Sequence, residues 1–279
     1  MDIKKKINVT ILGPTSKIGS TLAKKYLEDG NNINLFYRNN NNKIFLNNNF
    51  NIKKNINQIQ FVKYDFLNNK KLELSIKKNK KIFNQTNILI LTIAELGEIK
   101  NFFKQSIKKF SNTFYVNFFF YVFFFKTLSK VLNNKKKMLI ILFSGGGSTS
   151  FRENFSAYSL TKVCLVKLTE IMSHEIKNKK IRFNIISPGI INSSMIKKIL
   201  KQKSNVSKDE IKKIKKNLTL TKTNINKVYK TINFLYSKKG EKISGKLISS
   251  TWDGITNLKK RDLKIIMNSD KYTLRRKEN

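Results

Sequence analysis

Cysteine, histidine, proline, alanine and arginine are all scarce in these 279 residues, and several of these shortages remove a possibility. With one cysteine, Cys164, no internal disulfide can form, and a reducing, cytoplasmic setting is expected. Cys164 lies inside a helical pattern and reads as a buried structural thiol. With one histidine, His174, the chain cannot build a histidine-based metal cluster, so no metal site is expected. The longest apolar run, Phe118–Phe125, falls far short of the roughly 20 residues that span a bilayer. No membrane association is expected, and the run reads as a very hydrophobic helix for the core or a subunit interface. The chain opens Met-Asp-Ile-Lys-Lys-Lys and enters an apolar stretch at once, which predicts no secretory signal. No internal repeat and no linker marks a second domain. The expectation is one domain over 1–253 followed by a basic extension, 254–279.

Acidic residues are also few, 17 against 57 basic, giving a formal net charge of +40. Such an excess invites a nucleic-acid reading. The composition argues against it. Six basic residues are arginine (Arg38, Arg152, Arg182, Arg261, Arg275 and Arg276), and the lysines are spread along the whole chain. A surface built to read DNA would use the planar arginine fork freely. Residues with GC-rich codons are depleted together while asparagine, isoleucine and phenylalanine abound, the mark of a nucleotide-biased genome. No specific nucleic-acid partner is expected, although the charge should favour any anionic ligand.

What is present is an alternation of strand and helix. Apolar segments at Asn8–Leu12, Asn34–Tyr37, Gln60–Tyr64, Asn87–Thr92, Met138–Phe143, Ile181–Ile186 and Lys246–Ser249 read as seven strands. Between them lie helical patterns at Lys17–Asp29, Lys70–Phe83, Asn112–Asn133, Phe155–Lys179, Val206–Lys216 and Asn224–Ser237. Asn39–Asn55 is asparagine-rich and reads as a swollen loop or frayed helix. Buried strands alternating with helices predict an α/β fold: a doubly wound, mostly parallel seven-stranded sheet with helices on both faces. Its ligand crevice should lie at the carboxyl ends of the strands.

Two motifs carry chemistry. Gly13-Pro14-Thr15-Ser16-Lys17-Ile18-Gly19 falls between the first strand and first helix, where backbone N–H groups and a helix dipole can meet a pyrophosphate. Tyr158 and Lys162 stand at i and i+4 on one helix face, fourteen residues beyond Ser144. A nearby ammonium favours the phenolate, so the pair reads as a tuned general acid/base.

Together these residues resemble the short-chain dehydrogenase/reductase family over nearly the whole chain. Gly13 and Gly19 match the outer glycines of its phosphate turn, with Lys17 in place of a middle glycine. Asp65 matches the acid after the third strand, Asn117 the helix asparagine, and Ser144, Tyr158, Lys162 and Pro188-Gly189 the remaining landmarks. Leu91-Thr92-Ile93-Ala94 replaces the family's NNAG. Ser144-Gly145-Gly146-Gly147 and the downstream Ser244-Gly245-Lys246-Leu247-Ile248-Ser249 with Trp252-Asp253 look like one subgroup of reductases, with Ser148 a rival to Ser144.

The resemblance implies a Rossmann fold and hydride transfer between a nicotinamide cofactor and a carbonyl or secondary alcohol. Tyr158 would pass the proton. Lys162 would lower its pKa and hold the ribose, Ser144 would hydrogen-bond the substrate oxygen, and Asn117 would hold a water. Cofactor contacts are implied for Gly13, Thr15, Ser16, Lys17, Ile18, Gly19, Arg38, Asp65, Phe66, Ala94, Tyr158, Lys162, Pro188, Gly189, Ile191 and Ser193. Arg38, with no acid at the end of the second strand, favours NADP, with NAD possible. A homodimer or homotetramer is also implied. The competing reading is a degenerate member that binds a nucleotide or a partner without turnover.

Overall fold

The seven apolar segments become seven parallel strands, and the order in which they pair sets where a ligand can sit. The structure, a computed structural model, describes residues 6–50, 57–133 and 137–276. The strands are β1 (Asn8–Leu12), β2 (Asn32–Tyr37), β3 (Ile59–Lys63), β4 (Ile88–Leu91), β5 (Met138–Phe143), β6 (Ile181–Ser187) and β7 (Leu247–Ser249). They form one sheet in the order β3-β2-β1-β4-β5-β6-β7, and every neighbouring pair is parallel. The order reverses between β1 and β4, which opens a crevice beyond their carboxyl ends. This is the doubly wound α/β sheet expected from the sequence.

The helices are α1 (Lys17–Glu28), α2 (Asn40–Asn49), α3 (Asn69–Lys78), α4 (Lys80–Gln85), α5 (Ile107–Phe114), α6 (Phe120–Val131), α7 (Ser156–Glu175), α8 (Ser194–Lys201), α9 (Lys208–Asn217), α10 (Thr221–Tyr236) and α11 (Lys260–Asn268). Period-2 geometry divides the strands' side chains between two faces. On β5, Leu139, Ile141 and Phe143 join the core shared with Leu22, Tyr26, Val228 and Ile232 of α1 and α10. Met138, Ile140 and Leu142 join the opposite core, with Leu72, Phe120, Phe124 and Leu165. A central strand covered on both faces must be apolar throughout, which is why Met138–Phe143 carries no alternation.

Several elements differ from the sequence expectation for local reasons. Lys70–Phe83 is two helices, because Asn79 leaves helical geometry and its amide donates to the Ser75 carbonyl at 2.8 Å. The asparagine-rich stretch, in contrast, takes the helical one of its two expected forms: it makes α2, where Asn39 caps the helix by accepting from Asn42 N–H at 3.0 Å. The rest of that stretch, 51–56, lies outside the described residues. Helix α8 has no counterpart in the sequence pattern; Ser193 caps it.

The phenylalanine-rich run divides. Phe120, Tyr121, Phe124 and Phe125 are buried against the sheet, whereas Phe119 and Phe123 are exposed. Beyond residue 253 the chain returns to the main body. Leu263 and Ile266 of α11 enter the first core, and the Tyr272 carbonyl accepts from Leu247 N–H at 2.8 Å. Arg275 pairs with Glu170 of α7 and with Asp270.

Candidate active site

Each chemistry-bearing segment follows a strand and emerges at its carboxyl end. The Gly13 turn follows β1, Arg38 follows β2, and Asp65-Phe66 follows β3. The Leu91–Ala94 segment ends β4, Ser144 follows β5, and Pro188-Gly189 follows β6. Parallel pairing therefore gathers on one rim residues that are far apart along the chain.

The turn after β1 is built by close approach. Gly13 has φ +83°, a left-handed value that favours glycine. Ser16 N–H donates to the Gly13 carbonyl at 3.1 Å, and Ser16 Oγ caps α1 by accepting from Gly19 N–H at 2.9 Å. A Cβ at Gly19 would fall 2.6 Å from the Gly13 carbonyl oxygen, so only glycine lets the turn close. Lys17 is exposed at the start of α1. Thr92, part of the segment that departs from the NNAG pattern, holds the turn from the side. Its hydroxyl donates to the Gly13 carbonyl at 2.7 Å and accepts from Ser16 Oγ at 2.9 Å. The departure thus comes with a new clamp on the same loop.

On the neighbouring rim, Arg38 is exposed and its guanidinium lies 5.3 Å from the Phe66 ring centre. Asp65 accepts from Leu67 N–H at 3.0 Å. Gly189, φ +73°, allows Thr251 to approach. Ile191 is buried. Ser193 Oγ accepts from Ile196 N–H at the start of α8, so its side chain has a structural use as well. Cys164, expected to be buried, is half-buried on α7, and burial raises its pKa.

At the next strand ends lie the proton-transfer candidates. Tyr158 and Lys162 occupy the first two turns of α7 and are 6% and 2% exposed. Lys162 Nζ lies 5.5 Å from the Tyr158 ring centre and donates to the Phe143 carbonyl at 3.0 Å. Burial lowers the Lys162 pKa to about 8. Burial pushes the Tyr158 phenol above its ordinary value, and the Arg152 guanidinium opposes that push. The sequence pattern points to Lys162 as the opposing charge; the fold adds Arg152, which in the sequence is one basic residue among many. Its only signal there is its place between Ser144 and Tyr158.

Ser144 Oγ and Ser148 Oγ, both buried, share a hydrogen bond of 2.8 Å, so the two rival serines act as one pair. The glycines between them differ in kind. A Cβ on Gly145 would come within 3.0 Å of the Tyr158 hydroxyl, and one on Gly147 closer still to Ser159 Oγ. Gly146 faces only the Arg152 side chain, at ordinary contact distance.

Asn117 lies in a π-helical turn, Tyr115–Phe119, between α5 and α6. Wide turns of this kind turn a side chain out of helical register. Its carboxamide accepts from Glu95 N–H at 2.8 Å and donates to Glu95 O at 2.8 Å and Thr161 Oγ1 at 3.2 Å. It therefore joins the segment after β4 to α7 directly, rather than only holding a water.

A family model described as Enoyl-(Acyl carrier protein) reductase matches residues 13–251. A search of curated proteins returns no match. Among solved structures, the ligand-free aldohexose dehydrogenase of Thermoplasma acidophilum aligns with TM-score 0.69 and 17% identity, covering 88% of this chain and 92% of that one. A short-chain type dehydrogenase/reductase from Mycobacterium ulcerans gives TM-score 0.71 and 15% identity, covering 87% of each chain. ElxO with NADP bound gives 0.71 and 21%, covering 88% and 96%. At these identities the structural likeness establishes the fold. Among the described residues no helix is long and apolar enough to cross a membrane.

Proposed function

The chain belongs to the short-chain dehydrogenase/reductase family of NAD(P)-binding oxidoreductases, and from that premise we propose that it interconverts a carbonyl and a secondary alcohol with Tyr158 as the proton-transfer group. The observation that carries this reading is the Tyr158–Lys162 pair, buried together at the sheet's carboxyl rim with Ser144 one residue from the glycine that the tyrosine hydroxyl touches.

A nicotinamide cofactor fits the residues present. Gly13 and Gly19 have no room for a Cβ beside Thr92 and the Gly13 carbonyl, so glycine closes a tight turn directly at the α1 N-terminus, where a diphosphate would meet the helix dipole. Gly13, Thr15, Ser16, Lys17, Ile18 and Gly19 would hold the diphosphate. Arg38 would meet the adenosine end, and Asp65, Phe66 and Ala94 would flank the adenine. Pro188, Gly189, Ile191 and Ser193 would hold the nicotinamide, and Lys162 the ribose. Bound there, the cofactor supplies or takes up the hydride.

The remaining chemistry falls to the chain's own groups. Tyr158 Oη donates a proton to the carbonyl oxygen in reduction and removes one from the alcohol in oxidation. Ser144 Oγ, whose O–H rests on Ser148 Oγ, turns that proton to the same oxygen as charge builds on it. The Lys162 ammonium and the Arg152 guanidinium favour the phenolate during each exchange. Asn117 fixes α7 against the β4 loop, so the tyrosine does not drift. Arg38, with no acid beside it, favours NADPH over NADH.

Titration of NADPH fluorescence, followed by turnover across a panel of aldehydes and ketones, tests the proposal. Wild-type protein should bind NADPH more tightly than NADH and oxidise it with at least one carbonyl. Tyr158→Phe should bind NADPH as tightly while losing about 10²–10⁴-fold in kcat, the range for a positioned acid/base. Unchanged turnover in Tyr158→Phe would refute the role given to the tyrosine. Tight NADPH binding with no turnover on any carbonyl would instead favour the nucleotide-binding member without catalysis, to which the Leu91–Ala94 departure also points.

A further inference from the structure

Helices α8 and α9 do not merely border Tyr158; they roof it. Tyr158 belongs to a third apolar cluster, separate from the two sheet cores, made with Leu96, Ile99, Phe155, Ile199, Val206 and Ile214. Ile199 lies on α8, Ile214 on α9, and Val206 between them. Polar ties hold the same segment to the neighbouring strand ends. Lys198 Nζ donates to the Gly97 carbonyl at 3.0 Å, Asn205 Nδ2 to Ile99 O at 3.2 Å, and Asn154 Nδ2 to Asn205 O at 2.9 Å.

One tie joins two charges across the reaction centre. Arg152 Nε donates to Glu210 Oε1 at 2.9 Å, and Arg152 Nη2 meets the same oxygen. The two side chains are 12% and 22% exposed. The Arg152 guanidinium lies 3.7 Å from the Phe155 ring centre and 5.7 Å from that of Tyr158. A planar guanidinium can lie against a ring and still give two N–H groups to one carboxylate, which an ammonium cannot do. Glu210 sits three residues past the α9 cap, Ser207, whose Oγ accepts from Glu210 N–H at 3.3 Å. In that position a glutamate ordinarily turns back to its own cap; here its carboxylate reaches the serine loop 58 residues away.

We propose that Arg152 is a positioning residue that latches the α8–α9 segment over Tyr158 through Glu210, so that a carbonyl substrate reaches the tyrosine hydroxyl only when this pair has opened. The proposal rests on Tyr158 being the proton-transfer group. The remaining ties and the apolar cluster guide the segment back after opening, and the ion pair sets how often it opens. The apparent affinity for substrate is then its intrinsic affinity reduced by the open fraction.

Hydrogen exchange read by mass spectrometry over residues 194–217, with limited trypsin cleavage at the lysines of α9, measures opening without any substrate. Glu210→Gln, which keeps size and removes charge, should speed both by about tenfold over this segment alone, since local opening follows how firmly the segment is held to its surroundings. Arg152→Gln should do the same. The exchanged pair, Arg152→Glu with Glu210→Arg, should restore protection to within about threefold of wild type, by double-mutant logic. With a carbonyl that the wild type turns over, Glu210→Gln should lower KM by the factor by which exchange rises, kcat moving less; a purely structural role would raise KM. Unchanged protection in both single variants overturns the latch, as does an equal rise across the whole chain. A protein that binds NADPH but never turns over still passes or fails the exchange test, so the two readings fail separately.

Discussion

Alanine placed at each of Gly145, Gly146 and Gly147 in turn should give three different outcomes, because the same added methyl meets three different neighbours. At Gly145 it would lie within 3.0 Å of the Tyr158 hydroxyl, where ordinary contact begins at 3.4 Å. The ring is held in an apolar cluster, so the hydroxyl or the loop must retreat by roughly 1 Å, a misplacement that can reduce turnover about 10²-fold. That corresponds to about 2.7 kcal/mol of lost transition-state stabilisation. Overpacking should also cost about 1–3 kcal/mol of stability, or roughly 2–4 °C in Tm per kcal/mol for a chain near this size. At Gly146 the methyl meets only Arg152 at 3.6 Å, and φ is not left-handed. Gly146→Ala should retain kcat/KM and gain about 0.4–1 kcal/mol, since alanine narrows the unfolded ensemble. At Gly147 the backbone has φ +92° and the methyl would strike Ser159. Strain of about 1–2 kcal/mol adds to the clash, so Gly147→Ala should show the lowest Tm of the three. Differential scanning fluorimetry and NADPH oxidation, followed by its absorbance, read stability and turnover side by side. If Gly145→Ala and Gly146→Ala turn over substrate equally well, the Tyr158 hydroxyl is not the reacting atom.

Two other substitutions test electrostatics built into the fold. Lys162 has a pKa lowered to about 8 by burial, so below that pH the cofactor-free fold carries a buried charge at a cost. Because the folded chain binds fewer protons than the unfolded one between about 8 and the ordinary lysine value near 10.4, stability should rise with pH across that window. Lys162→Met should therefore raise Tm at pH 7 without cofactor while abolishing turnover, and a fall in Tm would refute the burial argument. Glu170 is held at about 2, chiefly by its hydrogen bond from Arg275, with Lys167 adding to it. Its stabilisation is fully present above the ordinary glutamate value near 4.3 and is lost as pH falls toward about 2. Glu170→Gln should flatten that part of the Tm–pH curve and speed hydrogen exchange over 269–275; a curve identical to wild type would show that Arg275 does not anchor the C-terminal segment.

Much of this is legible in the residues alone. The strands are readable because burial on both sheet faces requires uninterrupted apolar runs, as in Met138–Phe143, and all seven appear within a few positions of where the pattern puts them. Helix breaks are less legible. Asn79 splits one helical pattern, and Asn39 caps a helix in a stretch that reads equally as loop or frayed helix, because asparagine serves both ends through side-chain bonds that depend on local geometry. Helix α8 carries an apolar stripe, Met195, Ile196, Ile199 and Leu200, but over eight residues that stripe is too short to separate helix from loop. The Tyr158–Lys162 pair and the glycine turn are readable because helix and turn geometry fix near neighbours in the chain.

Sequence by itself determined the order of elements, the parallel sheet and the residues available at its carboxyl rim. Local pattern carries those facts, since hydrophobic period and turn chemistry act over a few residues. Only the tertiary structure decided that Arg152 joins Lys162 beside the tyrosine, because Arg152 is indistinguishable in sequence from the other basic residues until Phe155 and Glu210 close around it. It also decided that Thr92 braces the Gly13 turn and that α8 and α9 share one apolar cluster with Tyr158. Contacts between residues 58 or 79 positions apart depend on how strands pair and helices pack, and no window along the chain contains that information.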